Sequence, residues 1–186
     1  MKRLILVAAM AILSTAAFAQ KFAYVNFNEL VTLAPEADEA RTAMQASNQE
    51  AQETYQAMVE EFQSKYQTYQ QKASTWTQAI RETKEKELTE IQQRIQEFEQ
   101  TVQAELQQQQ QQLMAPIYQK ATETVNDLAK KGGYMFVFDV TTALYVDPAQ
   151  ATDLTAAARK ALGIAEGRTL ESLQQELAAQ AAAQQQ

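Results

Sequence analysis

Histidine and cysteine are both absent from this 186-residue chain, so the chemistry open to its side chains is narrow. Without them there is no thiol nucleophile, no serine–histidine pair, no disulfide framework and none of the usual zinc ligands. The four glycines stand at 132, 133, 163 and 167, which leaves no glycine-rich loop to cradle a phosphate. Asp139 and Asp147 bound a strand and a turn, where acidic residues cap backbone N–H groups. No residue is therefore assigned a catalytic role, and neither a metal nor another cofactor is expected. The side chains left with chemistry to do are aromatic. Tyr55, Phe62, Tyr66, Tyr69 and Trp76 recur at helical spacing, as flat amphipathic surfaces that accept varied partners. The same spacing also suits the seam between two helices. Each of the five thus has two readings, contact with a bound chain or filling of a helical seam.

The elements that carry them are long. No glycine or proline falls between Pro35 and Pro116. Apolar residues recur in steps of three and four from Tyr55 to Ile80, and again from Leu88 to Leu128 with one step lost to glutamine between Leu106 and Leu113. Such stripes describe amphipathic helices that each need a partner, and the nearest partner is the other half of the same segment. Pro35 opens the first helix where its missing N–H does no harm, and Glu36, Asp38 and Glu39 suit the helix dipole there. The hairpin arm covers residues 35–131. Its turn is expected at residues 73–77, "ASTWT", where three Ser/Thr side chains compete with helix and can cap the next one. Six glutamines at 107–112 and the nearby Pro116 mark either a soft, kinked zone or solvated helix.

Strands flank the arm. "KFAYVNF", residues 21–27, reads as a buried strand, and "NELVTLA" as a helical turn. Lys130 and Lys131 favour a helix C-terminus, and Gly132-Gly133 supplies a left-handed cap. Residues 134–138 then pair with the first strand. "ALYVD", residues 143–147, is expected as a third strand, after which Thr152 or Asp153 caps a helix ending at Gly163. Residues 20–34 and 132–163 form the body, and residues 164–186 an Ala/Gln-rich, partly disordered tail. So small a sheet leaves edges and aromatic faces uncovered. Self-association would cover them, with Phe22, Tyr24, Val25, Phe27, Tyr134, Phe136, Val137, Phe138 and Tyr145 as the candidate hub.

Residues 1–19 read as an export signal cleaved near Ala19. Lys2-Arg3 precedes an apolar run at 4–13 that is too short to span a bilayer, and Ala17-Phe18-Ala19 carries small residues at the positions a signal peptidase reads. The 16 basic residues less these two leave 14 against 23 acidic ones, so the formal charge falls from −7 to −9. A nucleic-acid partner would need the opposite balance.

With "KFAYVNFNEL", the proline-started helix, "QEFEQ", "APIYQKATETVNDLAKKGGYMFVFD" and "DLTAAARKALG" in this order, the chain resembles the Skp/OmpH-like periplasmic chaperones, the seventeen-kilodalton-protein family. The resemblance covers roughly residues 21–163. It implies a mainly α fold with a small β hub, in which a long antiparallel coiled-coil hairpin projects from a short-stranded body and three copies make a jellyfish-like homotrimer. It also implies a periplasmic holdase that keeps unfolded outer-membrane proteins in a cavity between the arms without ATP, with transient contact with the outer or inner membrane surface. One well-studied member is strongly basic, whereas this chain has a pI near 4.7, so no lipopolysaccharide site is carried over. Lys72, Arg81, Lys84 and Lys86 cluster near the turn, where a solvated helix face also accounts for them. From another class, a coiled-coil spacer of the cell envelope would need the long helices but neither cavity nor aromatic hub.

Overall fold

The computed structural model describes residues 21–183, so the export segment expected at 1–19 lies outside them. The chain is mainly helical with one small sheet. In order, the elements are β1 (Phe22–Val25), α1 (Phe27–Leu33), α2 (Pro35–Lys72), α3 (Gln78–Gly132), β2 (Phe136–Asp139), β3 (Ala151–Asp153), α4 (Thr155–Ala161) and α5 (Leu170–Ala183). They divide into two compact units. One is Pro35–Gln119; the other combines residues 21–34 with residues 120–183.

In the second of these units β1 lies at the centre of the sheet, in the order β2-β1-β3, and both pairings are parallel. Parallel neighbours need a long crossover, and the α2–α3 segment supplies it between β1 and β2. Side chains alternate across a strand, and burial follows that alternation. Ala23 and Val25 are buried on one face, while Phe22 and Tyr24 on the other stay partly open. Asn26 ends the strand because its side chain accepts the Glu29 N–H at 3.1 Å and so caps α1. Phe27, expected at the end of the strand, is therefore the first residue of α1. Pro35 ends that helix, since the residue before a proline is driven out of the α region, and Ala34 is extended at ψ 141°.

The core of this unit is aliphatic. Leu30, Val31 and Leu33 of α1 are buried, and α1 packs against both α4 and α5. Ala158, Leu162, Ile164 and Leu173 are buried in the C-terminal part of the chain. Burying a leucine stabilises by about 1.5–3 kcal/mol, so Leu30 and Leu33 are among its main supports. A polar network ties the same elements together. The Arg159 guanidinium pairs with the Glu29 carboxylate and donates to the carbonyls of Ala165 (3.3 Å) and Arg168 (2.5 Å). Helix α5 starts with reciprocal bonds, Thr169 N–H to Ser172 Oγ and Ser172 N–H to Thr169 Oγ1, both at 3.0 Å.

Two glycine stops work as expected. Gly133 has φ +67°, with its N–H on the Lys130 carbonyl and the Tyr134 N–H on that of Ala129. Gly163, at φ +75°, repeats the pattern with Lys160 and Arg159. Both are Schellman motifs, which need the left-handed conformation that glycine adopts without penalty.

Two expectations change, and one open alternative is narrowed. The third strand is Ala151–Asp153, and residues 143–147 form no strand. Asp147 makes a tight turn instead, accepting the Ala149 N–H on its side chain and the Gln150 and Ala151 N–H groups on its carbonyl. The next helix begins at Thr155 with Leu154 in the cap position; the Asp153 carboxylate still accepts the Thr155 N–H at 2.8 Å, whereas Thr152 has no capping role. Finally, α3 continues through the glutamine run and Pro116. Pro116 and Gln112 are exposed, so water can satisfy the Gln112 carbonyl that the proline deprives of its partner.

Candidate functional site

In the Pro35–Gln119 unit, α2 runs 38 residues, roughly 57 Å at ~1.5 Å per residue. It stops at Lys72 because Thr75 turns back on the Lys72 carbonyl with both its N–H (2.9 Å) and its hydroxyl (2.8 Å). Thr77 opens α3, offering its hydroxyl to the Ile80 N–H and its carbonyl to the Arg81 N–H. The two helices then run antiparallel. Gln109 donates to Ser47 at 2.9 Å, Arg94 to Glu61 at 3.0 Å, and Lys65 lies 3.7 Å from Glu87, so rising numbers on one helix meet falling numbers on the other. Between these polar contacts Ile91 is buried, with Phe62, Ile95, Phe98, Val102 and Leu106 half-buried.

The five arm aromatics differ in how far they are covered. Phe62 is half-buried and stacks on Tyr66 at 5.8 Å, with Tyr66 itself 45% exposed. Tyr69 and Trp76 are half-buried and meet edge to face at 6.0 Å beside the turn. Tyr55 is exposed and donates its hydroxyl to Glu99, which raises its pKa because the neutral phenol is the donor. The Tyr69 hydroxyl bonds Glu85 with the same consequence. Tyr55 and Tyr66, 37% and 45% exposed, thus offer more surface to solvent than the half-buried Phe62, Tyr69 and Trp76. Ile80, which closes the first apolar stripe, is 45% exposed but is not among the five candidates because it is not aromatic.

Of the basic residues near the turn, Lys84 holds Glu87 at 2.9 Å, which lowers the Glu87 pKa, and Lys86 lies 3.7 Å from Glu90. Half of that cluster is therefore already neutralised, as expected of a solvated face.

The hub candidates separate by face. Phe22, Tyr24, Phe136 and Phe138 share one side of the sheet through the register Phe22↔Phe136 and Tyr24↔Phe138. Three of these rings form a cluster. Phe22 stacks on Phe136 at 6.2 Å, Phe138 lies 6.4 Å from Phe22, and Phe136 and Phe138 are 6.1 Å apart. Yet Phe136 and Phe138 remain 52% and 50% exposed. Tyr145, from the loop before β3, joins Phe22, Phe138, Val146 and Ala151 around an apolar groove of about 300 Å³. Val25 and Val137 point to the opposite, covered face, and Tyr134 folds over Gly132 at the helix cap. Leu144 and Met135, missed in the sequence, enlarge the exposed apolar area.

Among the described residues no group of three His, Cys, Asp or Glu side chains is placed to hold a metal, and no helix is long and apolar enough to cross a membrane. No curated protein matches the chain significantly. The family model described as "Outer membrane protein (OmpH-like)" matches residues 21–162, which run from the start of β1 to the end of α4. That span holds both the aromatic sheet face and the whole hairpin, so the chain belongs to the OmpH-like family, a family of periplasmic chaperones for outer-membrane proteins.

Proposed function

We propose that this protein is an ATP-independent periplasmic holdase that binds unfolded outer-membrane proteins and keeps them from aggregating before assembly. The hairpin carries the reading. Tyr55, Tyr66 and Ile80 are 37–45% exposed along helices that are also joined by polar contacts such as Arg94–Glu61 and Gln109–Ser47. Unfolded barrel strands expose alternating apolar residues and unpaired backbone edges, and many weak contacts to such surfaces sum to firm retention. Family membership supports the same class of client.

In this reading the sheet face bearing Phe22, Phe136 and Phe138 joins three copies, and their arms enclose the space that holds the client. An exposed apolar face on a three-stranded sheet favours such burial. No step calls for a nucleotide or catalytic residue. The test is co-elution of the protein with a urea-diluted barrel protein on size exclusion, without nucleotide. One client per oligomer is expected. A client that elutes only as aggregate, leaving the oligomer unchanged, would refute the reading and leave an envelope spacer.

A further inference from the structure

We infer that the hairpin groove around Phe98, Val102 and Leu106 is a subsite for cationic apolar segments, meaning an unfolded stretch in which a Phe or Leu side chain lies within two residues of Lys or Arg. The inference deepens the holdase reading and rests on it.

The groove lies between the Ser47–Gln109 and Tyr55–Glu99 contacts and has a volume of about 260 Å³. Its apolar lining is Ala51 from α2 with Phe98, Val102 and Leu106 from α3. Glu50 and Glu105 line it from opposite helices, and both are exposed. Nearer the turn, in a second groove along the same seam, three of the four lining carboxylates have cationic partners, Glu90 through Lys86, and Glu97 is held by the neutral Gln93 amide. There Glu61 is paired with Arg94 and Lys65, and Glu87 with Lys84 and Lys65. Among the described residues no Lys or Arg is paired with Glu50 or Glu105. Two neighbouring carboxylates are engaged by neutral donors, Glu53 by the Gln49 amide and Glu99 by the Tyr55 hydroxyl, and so add negative charge without cancelling any. An apolar side chain entering the groove therefore brings its flanks into an uncompensated negative field. A lysine or arginine there supplies the missing countercharge and lays its own methylene stem along the apolar lining. A glutamate there is repelled.

The probes are two fluorescein-labelled unstructured peptides with identical Phe and Leu positions, one with lysines and the other with glutamates beside them. Anisotropy titrations of the purified protein are expected to give a roughly three- to tenfold tighter Kd for the lysine peptide at about 0.05 M salt, the scale of two exposed ion pairs. The ratio should shrink towards one at about 0.5 M as screening grows. Glu50→Gln with Glu105→Gln should abolish the preference. A variant with the same change in net charge elsewhere, Glu166→Gln with Glu176→Gln, should keep it. Equal affinities in the wild type, or a preference that survives Glu50→Gln with Glu105→Gln, would overturn the inference. The barrel-protein co-elution, run beside these titrations, fails or succeeds independently and so separates an error about this groove from an error about the holdase.

Discussion

Phe22 and Phe136 stack with ring centroids 6.2 Å apart and planes 9° from parallel, although all of α1, α2 and α3 lies between them in the chain. The parallel register of β1 and β2 places them on one face, and Phe138 completes the cluster. A single chain leaves this face half open to water. In a stable assembly it would be closed.

That difference makes Phe136→Asp informative. At a site 52% exposed, a charge in an isolated chain stays solvated, and the lost half-burial and stacking on Phe22 and Phe138 cost about 1–2 kcal/mol, which a folded monomer can bear. Buried between copies, the same charge costs several kcal/mol. The variant is therefore expected to run as a folded monomer in multi-angle light scattering at low micromolar concentration while the wild type runs as a trimer. An unchanged trimer mass would remove this face from the interface.

Inserting Gly-Ser-Gly after Ser74 should lengthen only the connection between α2 and α3. Loop-closure entropy rises slowly with length, so a loss of about 0.5 kcal/mol or less is expected. Helical circular dichroism and oligomer mass should both stay at wild-type values. A large loss of either would mean that the residues 73–77 connection sets the helix pairing.

Gly133→Ala tests the helix stop. At φ +67° an L side chain meets the following carbonyl, a strain of about 1–2 kcal/mol. Urea unfolding should show that loss. A wild-type midpoint would indicate that the chain relaxes out of the left-handed conformation there.

The Tyr69–Glu85 and Tyr55–Glu99 bonds give the hairpin a dependence on alkaline pH. Both phenols have folded pKa values raised above the ordinary 10.0 by the carboxylates they donate to. A raised folded pKa means that the stabilisation is complete below the unfolded tyrosine value and is lost as pH rises through the folded one. Thermal unfolding should therefore weaken as pH climbs beyond about 10. Tyr55→Phe with Tyr69→Phe should flatten that part of the profile. An identical slope in the double variant would show that the two bonds do not persist in solution.

The long helices, their turn and both glycine stops were legible because each rests on local chemistry: apolar steps of three and four, Ser/Thr at 74, 75 and 77, and a glycine after Lys131 and Leu162. The pairing of β1 with β2 was legible too, since the hairpin had to bring the chain back. Strand β3 was not. "ATD" has no apolar alternation and is a strand only because β1 offers it an edge, whereas "ALYVD" has strand composition but ends in the Asp147 turn, leaving Leu144 and Tyr145 exposed. The division of hub candidates between two faces depends on register, which composition does not carry. Periodicity likewise placed Phe98, Val102 and Leu106 on the seam but could not tell that Glu50 and Glu105 beside them have no cationic partner, because that depends on which residues the two helices bring opposite each other.

The holdase itself is tested most directly by light scattering of a urea-diluted, net-negative barrel protein with and without this chain, free of nucleotide, from low to about 0.5 M salt. With a formal charge of −7 on this chain, electrostatics oppose such a client, and apolar and aromatic contacts must hold it. Screening weakens only the charged part of the interaction, so suppression of aggregation is predicted at every salt concentration and is expected to strengthen as salt rises. Equal scattering with and without the protein across the whole range would contradict the account.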